Sequence, residues 1–273
     1  MIYSWICCQL GAREHYAIPR ALHLNQQLKL LITDFWLPDS SPLNLLPKPW
    51  LSNLRQRHHP ELDTAQVKSF NYQTVNYEFI ARQKQLQGWD RIIDRNYWWQ
   101  QQVIKQLDRT KLPDKQITLF AYSYAALEIF KYAQKRGWKL VLGQIDPGII
   151  EEKLVYKIAQ KYLNLQPKPE LLPLQYWSNW RAECRLADRI IVNSDWSRQA
   201  LEQTGISPQK ITTIPLAYQA TSSNFKRTYS SRFTPERPLK VLFLGQIIIR
   251  KGIGEILEAI ALLNKSINPS LVE

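Results

Sequence analysis

Residues 117–145 read ITLFAYSYAALEIFKYAQKRGWKLVLGQI. Ile117–Ala121 reads as a short, largely apolar strand, and Lys139–Ile145, with Leu140-Val-Leu142 at its centre, as a second. Between them, Tyr124–Arg136 has the apolar spacing of a helix. Strands this uniformly apolar are covered on both faces, and a strand–helix–strand unit of this length builds a parallel sheet.

The alternation continues in both directions. Toward the C-terminus come a helix at Ile149–Leu163, a proline-bearing loop at Gln166–Pro173 and a helix at Tyr176–Ala187. A strand at Arg189–Val192, a helix at Asp195–Thr204 and a strand at Ile211–Pro215 follow. Toward the N-terminus, Ile2–Cys8 reads as a buried strand bounded by Gly11. A helix over Glu14–Gln26 and a strand over Leu28–Thr33, ending in Asp34, come next. The stretch from Trp36 to Pro60, rich in proline, serine and asparagine, reads as a long loop. Residues 71–107 have broadly helical spacing interrupted near Gly88. The fold class expected is α/β, a Rossmann-like parallel sheet with helices on both faces.

Residues 217–238 break this pattern with Thr, Ser, Asn, Arg and Pro, as a linker would. A strand at Val241–Leu244 and a helix at Gly254–Leu263 then restart it. The expected organisation is a first domain at 1–216, a basic linker at 217–238 and the first β-α unit of a second Rossmann-like domain at 239–273.

Bulk properties narrow the function. A hydrophobic content of 45% supports a sizeable core and argues against disorder. No apolar run is long enough to span a bilayer, and the N-terminus lacks the basic start and cleavage site of a signal peptide. A cytoplasmic protein is expected. Cys7, Cys8 and Cys184 show neither metal-binding nor disulfide spacing, so they read as packing residues and no metal is expected. The net charge of +13 is concentrated. Residues 226–251 hold seven cations against Glu236, and Lys131, Lys135, Arg136 and Lys139 form a second cluster. Such fields attract phosphorylated ligands, anionic lipid headgroups or nucleic acid.

In open parallel sheets, ligands bind beyond the carboxyl ends of the strands. Four loops there carry candidate chemistry. In Gln9-Leu-Gly-Ala-Arg-Glu-His15, Gly11 permits a sharp turn, and Arg13, Glu14 and His15 offer polar contacts; an ordinary βα turn with solvated charges is the alternative. No GxGxxG is present, so a dinucleotide site is not supported. In Gln144-Ile-Asp-Pro-Gly148, Asp146 is a candidate base or ligand contact, or else a helix cap. In Val192-Asn-Ser-Asp-Trp-Ser197, Ser194 or Asp195 reads as a cap. In Gly245-Gln-Ile-Ile-Ile-Arg-Lys-Gly252, Gln246, Arg250 and Lys251 lie between two glycines ahead of a helix and suit a diphosphate. The clusters Tyr97-Trp98-Trp99 and Tyr176-Trp177-Ser-Asn-Trp180 read as core or docking residues, with a membrane interface as the alternative.

Three groups of these residues resemble a known family. Ala187-Asp-Arg-Ile-Ile-Val-Asn-Ser194, followed by Ser197-Arg, Leu201, Gly205, Pro208, Lys210-Ile211 and Ile214-Pro215, resembles the end of the N-terminal domain of family 4 (group 1) glycosyltransferases. Leu242-Phe-Leu-Gly245, Arg250-Lys-Gly252 and Glu255-Ile-Leu-Glu-Ala259 are similar to the start of their C-terminal domain. Gly11, Ala12, Glu14 and His15 sit where that family has its glycine-rich first loop.

The resemblance implies GT-B architecture, two Rossmann-like domains around a cleft. Gly11, Ala12, Glu14 and His15 would face the acceptor, while Gly245, Gln246, Arg250, Lys251 and Gly252 would hold the donor diphosphate. It implies sugar transfer from a nucleotide-sugar to a glycan or lipid-linked acceptor, usually with retention and without a metal. The nucleotide-sugar would be a co-substrate, with no cofactor. Peripheral contact with the inner face of an anionic membrane would suit the basic surface.

Three departures stand out. Gln246 replaces the family's diphosphate-gripping arginine, Asp146 stands where a histidine is common, and the Glu-x7-Glu element does not occur in the second domain up to Glu273. Little or no transferase activity is therefore expected of these 273 residues. The alternative is a non-catalytic α/β module that binds an acceptor or docks on a partner. Nucleic-acid binding through 226–251 is a third reading, distinguished by its salt dependence.

Overall fold

The computed structural model describes residues 4–38, 41, 56–112, 116–164, 171–217, 234, 236 and 240–266. Most of the loop expected at 36–60 and nearly all of the basic linker expected at 217–238 lie outside the described residues.

Seven parallel strands form one sheet: β1 (Ser4–Gln9), β2 (Leu28–Thr33), β3 (Val67–Ser69), β4 (Ile117–Tyr122), β5 (Lys139–Gly143), β6 (Arg189–Val192) and β7 (Ile211–Thr213). Their spatial order is β3-β2-β1-β4-β5-β6-β7. This is the doubly wound, Rossmann-like order, and the direction of progression reverses between β1 and β4. The α/β reading of the sequence holds.

Eight helices are described: α1 (Ala17–Leu24), α2 (Asn71–Gln83), α3 (Gly88–Arg109), α4 (Leu127–Lys135), α5 (Ile149–Lys161), α6 (Leu174–Leu186), α7 (Asp195–Gln203) and α8 (Ile253–Ser266). The break expected near Gly88 separates α2 from α3. The Ser194 side chain caps α7, accepting from the Ser197 N–H at 3.2 Å.

Register decides which residues share a face. Cys7 lies opposite Leu31 and Phe120, and Phe120 lies opposite Val141. That row packs with Tyr16 and, from α1, Ile18 and Leu22. Alternate residues, including Ile6, Cys8, Leu119 and Leu142, point to the other face and are also fully buried. There α4 packs against α3, α6 and β5. Each such aliphatic side chain contributes roughly 1.5–3 kcal/mol on burial. All three cysteines are free and buried, as expected of packing residues. Trp99, Trp177 and Trp180 are buried too, so these members of the aromatic clusters supply core, while Tyr97 is exposed. No described helix is long and apolar enough to cross a membrane.

The secondary structure differs from the sequence expectation in three places. β3 is an additional strand; at three residues it offers too little pattern to stand out. The helix expected from Glu14 begins at Ala17 because Glu14, His15 and Tyr16 all have left-handed backbones, with φ of 52°, 48° and 59°. Val241–Leu244 pairs with no described strand, and Val241, Leu242 and Leu244 are at least 81% exposed. A lone apolar run has no edge on which to satisfy its backbone.

The chain divides into two compact units, Met1–Gly148 with Leu172–Ala217, and Ile149–Leu171 with Tyr218–Glu273. The sheet belongs wholly to the first. The second therefore claims α5, which the sequence reading placed in the first domain. Within that second unit the ring of Tyr162 fills the space beside Gly254. A Cβ built at Gly254 would lie 2.6 Å from Tyr162 Cζ.

Candidate functional site

The carboxyl rim of the sheet at the β1/β4 reversal holds the sequence-derived loop. Gly11 turns with φ +83°, a conformation that disfavours any side chain. Its N–H donates to Asp34 Oδ1 at 2.8 Å. Asp34, 1% exposed at the end of β2, also accepts from Arg57 at 2.9 Å and Arg95 at 3.0 Å. Two guanidinium groups and a backbone N–H thus compensate one buried carboxylate. The Gln9 side-chain amide, in β1, donates to the carbonyls of Gly11 and Arg13 at 3.0 and 2.9 Å. These bonds hold three successive left-handed residues whose backbone costs of order 1–3 kcal/mol each.

That geometry places Glu14 and His15 over the sheet rim. Tyr122, the last residue of β4, donates its hydroxyl to Glu14 Oε2 at 3.2 Å. The Arg13 guanidinium lies over the Tyr122 ring, 5.4 Å from its centre. Burial and the neighbouring Glu14 carboxylate push the Tyr122 hydroxyl well above its ordinary pKa, so it stays a donor. Glu14, His15, Tyr122, Gln144, Asn193 and residues 214–217 line a cleft of about 310 Å3. Ala12 packs against the apolar cluster beneath the loop.

Asp146 lies at the same rim, half-buried. Its Oδ1 accepts from Tyr124 Oη at 2.6 Å and from the Gly148 N–H at 2.8 Å. Gln144 reaches the Asp146 carbonyl at 3.0 Å, while its own side-chain oxygen accepts from the buried Trp180 indole at 2.9 Å. The Tyr124 ring stacks on Tyr176, with centroids 4.7 Å apart. Burial and Asp146 raise the pKa of Tyr124 far above the ordinary phenol value. In this arrangement Asp146 organises a turn.

Sequence reasoning missed Glu183. Its carboxylate, 1% exposed, accepts from the Tyr124, Ala126 and Leu127 N–H groups at 2.7, 2.9 and 3.1 Å. Gln100 accepts the next, from Glu128, at 2.7 Å. The start of α4 follows a central strand, where a Rossmann-like domain would receive a phosphate. Here an internal carboxylate from α6 takes that place. No local pattern in the sequence announces such a pairing across 57 residues.

No protein-family model and no curated protein matches the chain. Among solved structures, HepE from Anabaena, in complex with UDP and glucose, is 14% identical, with a TM-score of 0.39 over 79% of this chain and 45% of its own. MnaA from S. aureus, solved with UDP, is 15% identical, with a TM-score of 0.35 over 77% of this chain and 43% of its own. A UDP-glucosyltransferase from Polygonum tinctorium is 12% identical, with a TM-score of 0.38 over 84% of this chain and 55% of its own. The chain spans about half the length of these proteins. Its own strand order is what fixes the fold.

The residues assigned by resemblance to a diphosphate lie in the second unit. Ile249–Lys251 is a 3-10 turn, Gly252 is left-handed at φ +80°, and α8 follows. Arg250 donates to Glu151 Oε1 at 2.8 Å, so that cation is already paired. Lys251, Gly245 and Gln246 are exposed. The cations come together beside a helix start, and the strand expected to lead into them is not formed.

Proposed function

We propose that the first unit is the acceptor-side domain of a nucleotide-sugar-dependent glycosyltransferase of the family 4 (group 1) type. The observation that carries this reading is the cleft at the β1/β4 reversal, where a strained loop presents Glu14 and His15 beside Tyr122 and Asn193. A cleft with a carboxylate, an imidazole, a phenol and two amides is rich in partners for sugar hydroxyls. The resembling run Ala187–Ser194 supplies β6 and the cap of α7 on the same rim. In this reading the acceptor is a glycan or a lipid-linked sugar, transfer proceeds with retention, and the diphosphate is met by residues 245–252. Occupation of the α4 start by Glu183 agrees with a donor held outside the first unit. The basic surface would bring the chain to an anionic membrane from the cytoplasmic side.

With Gln246 in the arginine position and Arg250 paired with Glu151, turnover by these 273 residues should be slight. One observation favours the alternative, a non-catalytic acceptor-binding module. The only carboxylate that the sequence offered as a base, Asp146, is engaged with Tyr124 and Gly148.

The test is an array of glycans and polyprenyl-linked sugars titrated with the chain, followed by nucleotide-sugar turnover on any ligand found. Saturable binding weakened about tenfold or more by Glu14→Ala with His15→Ala is expected. Turnover in addition would make the chain a transferase, and binding alone a module. No saturable binding to the array would overturn both.

A further inference from the structure

A second cleft, of about 300 Å3, opens between α6 and the turn that leads into β7. It lies near the amino ends of β6 and β7, away from the carboxyl rim. Three cations line it, Arg181, Arg185 and Lys210, and no lining residue is acidic.

Arg181 and Arg185 are exposed and stand one helical turn apart on α6, where like charges repel. Among the described residues neither guanidinium has an ion-pair or hydrogen-bond partner. Lys210 is held in place: its ammonium donates to the Arg185 and Ala187 carbonyls at 2.9 and 2.8 Å. An ammonium has three protons, and the third has no acceptor among the described residues. Ser207 opens the turn without capping it, and its hydroxyl also has no partner there. The turn itself is fixed by Gly205, left-handed at φ +87°, and by Thr204 Oγ1 donating to the Leu201 carbonyl at 2.6 Å.

The cleft therefore offers donors and positive charge with no acidic side chain in its lining to oppose them. Two planar guanidinium forks beside a fixed ammonium match a tetrahedral dianion with several equivalent oxygens. A carboxylate offers only two oxygens and one charge. We propose that Arg181, Arg185, Lys210 and Ser207 form a binding site for a phosphate monoester. A soluble sugar phosphate and a lipid headgroup that ends in a monoester share that chemistry. The proposal is independent of the glycosyltransferase reading, because it uses none of the rim residues.

The experiment uses the full 273-residue chain. Inorganic phosphate is titrated by calorimetry against a sodium chloride control of equal ionic strength. Arg181 and Arg185 are then tested for protection from phenylglyoxal, read by mass spectrometry. The double variant Arg181→Gln/Arg185→Gln leaves both buried faces intact and should fold. Saturable binding is expected, with both arginines protected and affinity at least about tenfold weaker in the variant. Phosphatidylcholine vesicles with and without phosphatidic acid separate the sources. Co-sedimentation that inorganic phosphate competes away identifies the lipid headgroup, and no co-sedimentation identifies the soluble ester. Equal labelling of both arginines with and without phosphate, or affinity unchanged in the variant, would overturn the site. Should the variant fail to fold, the labelling of the native chain decides alone.

Discussion

Glu183 is the residue on which the carboxyl rim most depends. It satisfies three N–H groups at the start of α4 that would otherwise be buried without partners. Its own burial pushes the carboxyl up from 4.5 to about 7, against the downward pull of those N–H groups. Between these two pH values the folded chain therefore holds a proton that the unfolded chain has released. Stability contributed by that proton is fully present below about pH 4.5 and is lost as pH rises through about 7. The slope is at most about 1.4 kcal/mol per pH unit, or roughly 3 kcal/mol across the window. Urea unfolding of wild type and Glu183→Gln at pH 5 and pH 7.5 checks this. Wild type should lose stability relative to the variant as pH rises. A constant gap would mean that the N–H donors hold the carboxylate ionised throughout.

At the scale of elements, the sequence was most legible where burial was two-sided. Ile117–Ala121 and Leu140–Leu142 are buried throughout and almost wholly apolar because both faces are covered, so no alternation confuses the reading. Val67–Ser69 was illegible because a three-residue edge strand carries almost no pattern. The loop after β1 misled for a different reason. Its helical composition continues back to Glu14, while the left-handed turn at Glu14–Tyr16 is imposed by distant partners, Asp34 and Tyr122. Val241–Leu244 misled in the opposite sense: it has the composition of a buried strand but pairs with no neighbour among the described residues. Amide hydrogen exchange separates these cases. The amides of Ile117–Tyr122 should exchange near the global unfolding rate, and those of Val241–Leu244 within seconds. Strong protection at 241–244 in a monomer would show that the run is paired after all.

For the whole molecule, alternating strands and helices predicted the sheet, and the strand order supplied what composition does not contain, the reversal between β1 and β4. That reversal turns Glu14 and His15, positioned by the turn at Gly11, from loop residues into part of the lining of a cleft. The opposite wall comes from Tyr122, Gln144 and Asn193, more than a hundred residues away in sequence, and only the fold assembles it. The charge of +13 pointed to anionic ligands without locating them. Among the described residues, its unpaired part includes Arg181 and Arg185, at the far end of the sheet from that cleft.

The cleft's role can be measured by crosslinking. A glycan or lipid-linked sugar bound by the chain would be prepared with a diazirine, photolysed on the protein and mapped by mass spectrometry. Crosslinks are predicted within Gly11–Ala21 and residues 193–217, and should disappear when an excess of unlabelled ligand is added. Competed crosslinks concentrated elsewhere would contradict an acceptor site at the β1/β4 reversal.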